Sequence, residues 1–186
     1  MTSALIPLAE GVEEMEAVIA IDVLRRAQWR VITVGLQAGF LTASRGVRLQ
    51  PDETWGAVDP AAWDALVIPG GAGGVRSLVR DERVLAAVRG FHVQRKWVAA
   101  ICAAPLVLQA AGILTATSRV TCHPGAAAEL TVTKRLDETT VVDGRLVTSQ
   151  GPGTAFEFAL TLVRLIDGAA AARSLAASMV LSASPG

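Results

Sequence analysis

Trp97-Val98-Ala99-Ala100-Ile101-Cys102-Ala103-Ala104-Pro105 reads as a buried strand that breaks sharply into a helix. The run up to Ile101 carries no charge, which suits a strand covered on both faces of a parallel sheet. Pro105 fits a helix's first turn, where its missing N–H costs no hydrogen bond. The turn falls on Cys102, with the small residues Ala100 and Ala104 two positions before and after it. A nucleophile elbow demands small residues there, because the backbone is tight and strained. Amides opening the next helix would favour a thiolate on Cys102. The alternative, a cysteine that merely packs as a small hydrophobe, fits poorly with a place at the strand's end.

The same alternation extends in both directions. Upstream, Asp64–Ile68 is another apolar run, ending in Pro69-Gly70-Gly71 with Gly73 and Gly74 beyond. Those glycines predict a loop whose free amides could face a developing oxyanion; no Gly-Lys-Ser/Thr follows, which argues against a phosphate loop. Leu5–Ala9 reads as a strand despite Pro7, Glu13–Ala27 as a helix, Arg30–Leu36 as a strand, and Phe40–Gln50 as a small hairpin with Gly46 near its turn. Downstream come a helix over Glu82–Lys96, the cysteine strand, and a helix over Ala103–Ala111 closing at Gly112. Strands follow at Arg119–Cys122 and Arg145–Thr148, the latter paired with a Thr139–Asp143 arm, and Phe156–Ile166 and Ala170–Leu181 form the closing helices. Strand and helix in alternation predict an α/β domain with a mostly parallel sheet and helices on both faces. Ligands bind such sheets at the carboxyl edge, so the strands ending at Ala9, Gly70 and Ile101 should open onto one crevice.

The chain of 186 residues fits a single domain, 1–186. Hydrophobic residues make up 52% and charged ones 18%, which calls for a thick two-sided core or a partner chain. Seventeen basic residues balance seventeen acidic ones, so neither nucleic acid nor an acidic membrane is an expected partner. The N-terminal Met1-Thr-Ser-Ala-Leu-Ile-Pro-Leu-Ala-Glu-Gly11 lacks the pattern of a signal peptide, and the expected location is the cytoplasm. Cys102 and Cys122 are too few for a disulfide framework, and Cys122 beside His123 lacks structural-zinc spacing.

Three acids open the first helix. Glu13 and Glu14 read as surface caps, whereas Glu16 can point inward while they do not. An inward carboxyl beside a thiol would hold its proton more tightly and could act as acid or base. His123, after a strand and before Pro124, is the better histidine candidate; His92 sits in a polar helix tail. If His123 faces the cysteine, strand alternation turns Cys122 away into the packing.

Leu8-Ala-Glu-Gly-Val-Glu-Glu-Met-Glu16, Val67-Ile-Pro-Gly-Gly71, Ala99-Ala-Ile-Cys-Ala-Ala-Pro105, Cys122-His-Pro124 and Thr148-Ser-Gln-Gly-Pro-Gly-Thr-Ala-Phe-Glu157, taken together, resemble the ThiJ/PfpI superfamily. The closer resemblance is to the branch containing the parkinsonism-associated protein deglycase and the bacterial YajL proteins. It implies a flavodoxin-like three-layer αβα sandwich that forms a homodimer, with Arg26 and Asp22 at the interface on the first helix. It implies Cys102 as the easily oxidised nucleophile, Glu16 as the buried acid hydrogen-bonded to its sulfur, and His123 as a supporting base. It places Gly70, Gly71 and the Ala103 amide in the oxyanion region, with Arg45 and Pro152 at the substrate pocket. Ala103 stands where protease-like branches carry a histidine, which argues against a peptidase. The activity implied is a cofactor-free, metal-free glyoxalase or deglycase acting on methylglyoxal-type α-oxoaldehydes or their early protein adducts. The alternative is an oxidative-stress sensor or chaperone working through oxidation of Cys102.

Overall fold

The computed structural model describes residues 1–181; residues 182–186, over which the single-domain expectation also runs, lie outside the described residues. The elements are β1 (Ser3–Leu8), α1 (Glu14–Arg26), β2 (Arg30–Gly35), β3 (Leu41–Thr42), β4 (Arg48–Leu49), β5 (Glu53–Thr54), β6 (Ala65–Ile68), α2 (Ala72–Leu78), α3 (Glu82–Val93), β7 (Trp97–Ile101), α4 (Pro105–Ala110), β8 (Thr140–Asp143), β9 (Leu146–Ser149), α5 (Ala155–Ile166) and α6 (Ala169–Ser178). Seven strands form one sheet in the order β5-β2-β1-β6-β7-β9-β8. Every neighbouring pair is parallel except β8 with β9. This is the flavodoxin-like α/β sandwich expected from the strand–helix alternation.

Strand alternation divides the core into two layers. Leu5, Leu66, Ile68, Val98 and Ala100 face α2, α3 and α4, meeting Leu78, Val88, Phe91 and Leu108. Ile6, Leu8, Val67, Ala99 and Ile101 face the other way, onto Ala17, Ala20 and Leu24 of α1 and Phe158 and Leu162 of α5. All five strand residues of each set are buried, so the central strands read as continuous apolar runs rather than as an alternating pattern.

Pro7 is accommodated by the geometry of the ladder. Even-numbered residues of β1 face β2, as the bonds from Arg30 N to Thr2 O and from Leu36 N to Leu8 O show. Odd-numbered ones face β6, where Asp64 N donates to Ser3 O. Pairing with β6 is confined to Ala4↔Ala65 and Leu5↔Leu66. Pro7 therefore withholds a donor on the side where the ladder has already ended.

Three expectations are corrected. Arg119–Cys122 is not a strand: Val120 makes one isolated parallel bridge to Arg135. The outer edge of β9 is occupied by β8, so this segment is tied on by side chains, with Thr121 N donating to Thr148 Oγ1 (2.9 Å). Gly73 and Gly74 are not loop; they lie in α2. A Cβ on Gly74 would stand 3.1 Å from the Val12 Cα and N, so these glycines serve close backbone packing rather than flexibility. The helix expected to reach Lys96 ends at Val93, because Arg95 turns left-handed at φ +53°. The hairpin forms as β3 and β4, with Gly46 at φ +90° in its turn.

Among the described residues no helix is long and apolar enough to cross a membrane. Phe158 is wholly buried where α5 meets the sheet and α1. Phe158→Ala should lower unfolding free energy by about 3–5 kcal/mol in urea titration, the usual cost of deleting a buried ring.

Candidate active site

Strand β7 ends at Ile101, and the chain reverses within one residue. Cys102 adopts φ +65°, a left-handed conformation rarely taken by residues with a side chain. Two backbone hydrogen bonds hold it there: Cys102 N donates to Ser149 O (2.9 Å), and His123 N donates to Cys102 O (2.8 Å). The reversal projects the thiol into a cleft of about 950 Å³ at the carboxyl edge of the sheet. Gly11, after β1, and Gly71, after β6, line the same cleft, as the strand ends predicted.

The first turn of α1 closes the back of the site. Glu13 caps it, its carboxylate accepting from Glu16 N (2.8 Å). Glu16 is fully buried. Its Oε2 accepts from the Gly70 amide (2.7 Å), and the Gly70 carbonyl in turn accepts from Glu13 N (3.0 Å). Gly70 cannot be replaced here: a Cβ would fall 2.5 Å from the Cys102 Cβ and 2.7 Å from Glu16 Oε2. Gly71 is held just as closely, at φ +90°, with its would-be Cβ 2.4 Å from Glu13 N.

The expected oxyanion set is corrected by these bonds. The Gly70 amide is committed to Glu16 and does not face the cleft. The Gly71 and Ala103 amides are the ones directed at the Cys102 sulfur. Glu14 is corrected too: instead of capping in solvent it is buried, accepting from Ser44 Oγ (2.9 Å) and from Arg45 N (2.9 Å). It thereby fixes the turn that carries Arg45 to the cleft wall.

Burial pushes the Glu16 carboxyl up from its ordinary 4.5 to about 7, with the Cys102 thiol and the Gly70 amide opposing the rise. Burial, then the charge and hydrogen bonding of Glu16, push the Cys102 thiol up to about 12, against the pull of the Gly71 and Ala103 amides. The amides do favour a thiolate, as expected, but desolvation and the neighbouring carboxyl outweigh them. The two groups are coupled: once Glu16 takes a proton its charge is gone, and the acid can donate to sulfur. A thiolate at Cys102 thus goes with a protonated Glu16.

His123 lies on the cleft wall, and its Nδ1 accepts from Gly125 N (3.0 Å). That bond assigns the neutral ring's proton to Nε2, so the histidine presents a donor rather than a base. Arg45 and Pro152 also line the cleft. Arg26 and Asp22 lie far along α1 and pair with each other (2.6 Å). Cys122 is wholly buried. Among the described residues no cluster of three or more His, Cys, Asp and Glu side chains is placed to hold a metal ion.

Among the cleft residues that sequence reading missed are Arg76 and Gln109. Arg76, on α2, lines the cleft because the glycine run proved helical. Gln109, on α4, fastens the opposite wall: its Nε2 donates to Glu129 O (2.9 Å) while its Oε1 accepts from Thr131 N (2.8 Å) and Val132 N (3.1 Å). Its partners lie about twenty residues downstream, and no periodicity marks such a bond.

The profile of the DJ-1/PfpI family matches residues 2–165. The chain is 38% identical over 183 residues to Protein dj-1beta of Drosophila melanogaster, covering 97% of each. It is 36% identical over 184 residues to Glutathione-independent glyoxalase DJR-1.2 of Caenorhabditis elegans, again covering 97% of each. The solved structure of oxidized Toxoplasma gondii DJ-1 superposes with a TM-score of 0.93 at 32% identity, over 98% of this chain and 100% of that one.

The raised Glu16 sets a sign for stability. Between pH 4.5 and 7 the folded state keeps a proton that the unfolded chain releases, so the Glu16 contribution to stability falls as pH rises through that window and is level above it. The loss amounts to about 3 kcal/mol. Denaturation of the wild type at pH 5 and pH 8 should show it, and Glu16→Gln should remove most of the difference.

Proposed function

The chain belongs to the DJ-1/PfpI family, and from that premise we propose that it is a cofactor-free, cysteine-dependent glyoxalase acting on methylglyoxal-type α-oxoaldehydes. The observation that supports this most is the pairing of Cys102 with a fully buried carboxyl whose proton affinity lies near neutrality, beside two directed amides. A relative 36% identical carries the name of a glutathione-independent glyoxalase, and in this reading Cys102 supplies the thiol.

In this reading Glu16 draws the proton from the Cys102 thiol as sulfur bonds to the aldehyde carbon. The resulting hemithioacetal oxygen lies toward the Gly71 and Ala103 amides, which stabilise its negative charge. Glu16 passes the thiol's proton to that oxygen and, again a carboxylate, carries a proton from the former aldehyde carbon to the neighbouring carbonyl carbon through an enediol. The aldehyde carbon is oxidised and the ketone carbon reduced in the same molecule, so no external oxidant enters. The product is a 2-hydroxyacyl thioester, and water releases the hydroxy acid. His123 contributes through Nε2–H as a donor to substrate oxygen, and Arg45 and Arg76 line the approach. Early adducts of the aldehyde with protein amines would be consumed as they release free aldehyde, which is the deglycase side of the activity. A reducing cytoplasm suits an enzyme that needs Cys102 as a free thiol.

A sensor function on the same sulfur is favoured by the contrast between the two cysteines: Cys102 lines the cleft and Cys122 is sealed in the core. Mild peroxide followed by mass spectrometry would then oxidise Cys102 and spare Cys122. The assembly that goes with either reading is a homodimer through the outer face of α1, where Met15 and Val18 are exposed near Asp22 and Arg26. Val18→Asp should shift a dimer toward monomer in size-exclusion chromatography with light scattering.

The deciding experiment measures lactate from methylglyoxal with metal-stripped protein in an amine-free buffer. Wild type should turn over, and Cys102→Ser and Glu16→Gln should each lose activity by on the order of 100-fold or more. A fully reduced wild type that makes no lactate overturns the enzyme reading.

A further inference from the structure

The Ala103 amide directed at the Cys102 sulfur ends a row of hydrogen-bonded peptide groups. Its own peptide group includes the Cys102 carbonyl, which accepts from His123 N (2.8 Å). The His123 amide shares a peptide group with the Cys122 carbonyl, and that carbonyl accepts from Arg135 Nε (2.8 Å). The row thus runs from a guanidinium through two peptide groups to the sulfur, with every donor pointing toward the thiol. Arg135 stands at its far end and lines no part of the cleft.

Tethering alone does not require an arginine here. The segment leading to Cys122 is already fastened to the one carrying Arg135: Leu136 N donates to Val120 O (2.8 Å), and Thr121 Oγ1 donates to Leu136 O (2.8 Å). Thr121 N adds its bond to Thr148 Oγ1. A neutral donor would suffice for the Cys122 carbonyl. Instead a permanently charged guanidinium holds it, on a side chain only 15% exposed. Its counter-charge lies outward. Asp137 Oδ1 accepts from Arg135 Nη2 (2.9 Å) and from Gln150 Nε2 (3.3 Å), and the Asp137 side chain is 88% exposed. Water therefore screens the carboxylate more than it screens the cation.

We propose that Arg135 is a positioning residue for the Ala103 amide, acting through the Cys122–His123 and Cys102–Ala103 peptide groups. A carbonyl that accepts from a cation draws electron density from its own N–H, which becomes a stronger donor in turn. Each bond in such a chain strengthens the next by on the order of 10–30%. The row starts in dry surroundings, since Thr121 and Cys122 are wholly buried, and a low dielectric preserves the polarisation. It ends on an amide whose work is to meet negative charge, on sulfur at rest and on the substrate oxygen during turnover. The same row braces the elbow, because the carbonyl held by His123 N belongs to the left-handed Cys102. His123 therefore serves the site twice, with its ring on the cleft wall and with its backbone as a link in the row.

Three variants test it. Arg135→Lys keeps the charge, Arg135→Gln keeps a donor without the charge, and Asp137→Asn removes the opposing charge at an exposed position. The amide proton resonances of His123 and Ala103 and the rate of Cys102 alkylation at one mildly alkaline pH are read first. The kcat and KM for methylglyoxal are read last, and only they rest on the glyoxalase reading. In Arg135→Gln both resonances should move upfield and alkylation should slow about fivefold. Its kcat should fall about tenfold while KM stays within about twofold of wild type. Arg135→Lys should keep roughly half or more of the wild-type alkylation rate and kcat. Asp137→Asn should leave the thermal midpoint in place and speed alkylation about twofold. Wild-type resonances and alkylation in Arg135→Gln overturn the proposal, and so does an equal loss in Arg135→Lys and Arg135→Gln, which is the mark of a plain tether. If Arg135→Gln does not fold, unchanged alkylation in Asp137→Asn overturns it instead. The expected resonance and alkylation changes in a protein whose wild type makes no lactate leave the role of Arg135 standing and overturn the glyoxalase reading alone.

Discussion

A cysteine held in a left-handed conformation is the constraint on which this site depends. An L-residue at φ +65° costs about 1–2 kcal/mol relative to ordinary backbone. It persists because both of its peptide groups are spoken for: the amide by Ser149 of β9 and the carbonyl by the amide of His123. Each of these partners is itself anchored, β9 by pairing on both edges and His123 by its cap on the turn after it. The reversal is therefore over-determined by the sheet, as strained functional backbone usually must be. Releasing Cys102 would swing the sulfur away from the Gly71 and Ala103 amides and from the carboxyl behind them.

The second constraint is electrostatic. Glu16 is buried against the thiol, where neither group ionises freely. One negative charge can be held between them with little rearrangement, and two cannot. A thiolate at Cys102 therefore goes with a protonated Glu16. Desolvation, which destabilises the fold at neutral pH, is also what brings the carboxyl's proton affinity close to neutrality.

The fold was legible because its signals are local. The uncharged run ending at Cys102, the Pro-Gly-Gly after Ile68 and the small residues Ala100 and Ala104 each speak through neighbours in the chain. The cleft's main members followed from strand ends at one sheet edge. What escaped depends on distant partners. Nothing near Gly73 and Gly74 tells that Gly11 presses against the first and Val12 against the second, so a helix looked like a loop. Glu14 looked like a surface cap because its partners, Ser44 and Arg45, lie in another hairpin. Arg119–Cys122 has the composition of a strand, but β8 already occupied the edge it would have joined. The oxyanion set was misjudged at Gly70 for a finer reason: sequence locates an amide but not the group to which it has been promised.

The two cysteines also differ in what they experience as the molecule breathes. Cys102 meets solvent from the native state, at a rate set by local chemistry. Cys122, at 0% exposure, meets a thiol reagent only when the core itself opens. A single labelling time course thus contains two clocks, one reading the proton shared with Glu16 and the other the frequency of global opening. The chain carries a built-in comparison between the readiness of its active centre and the integrity of its fold, with no probe added.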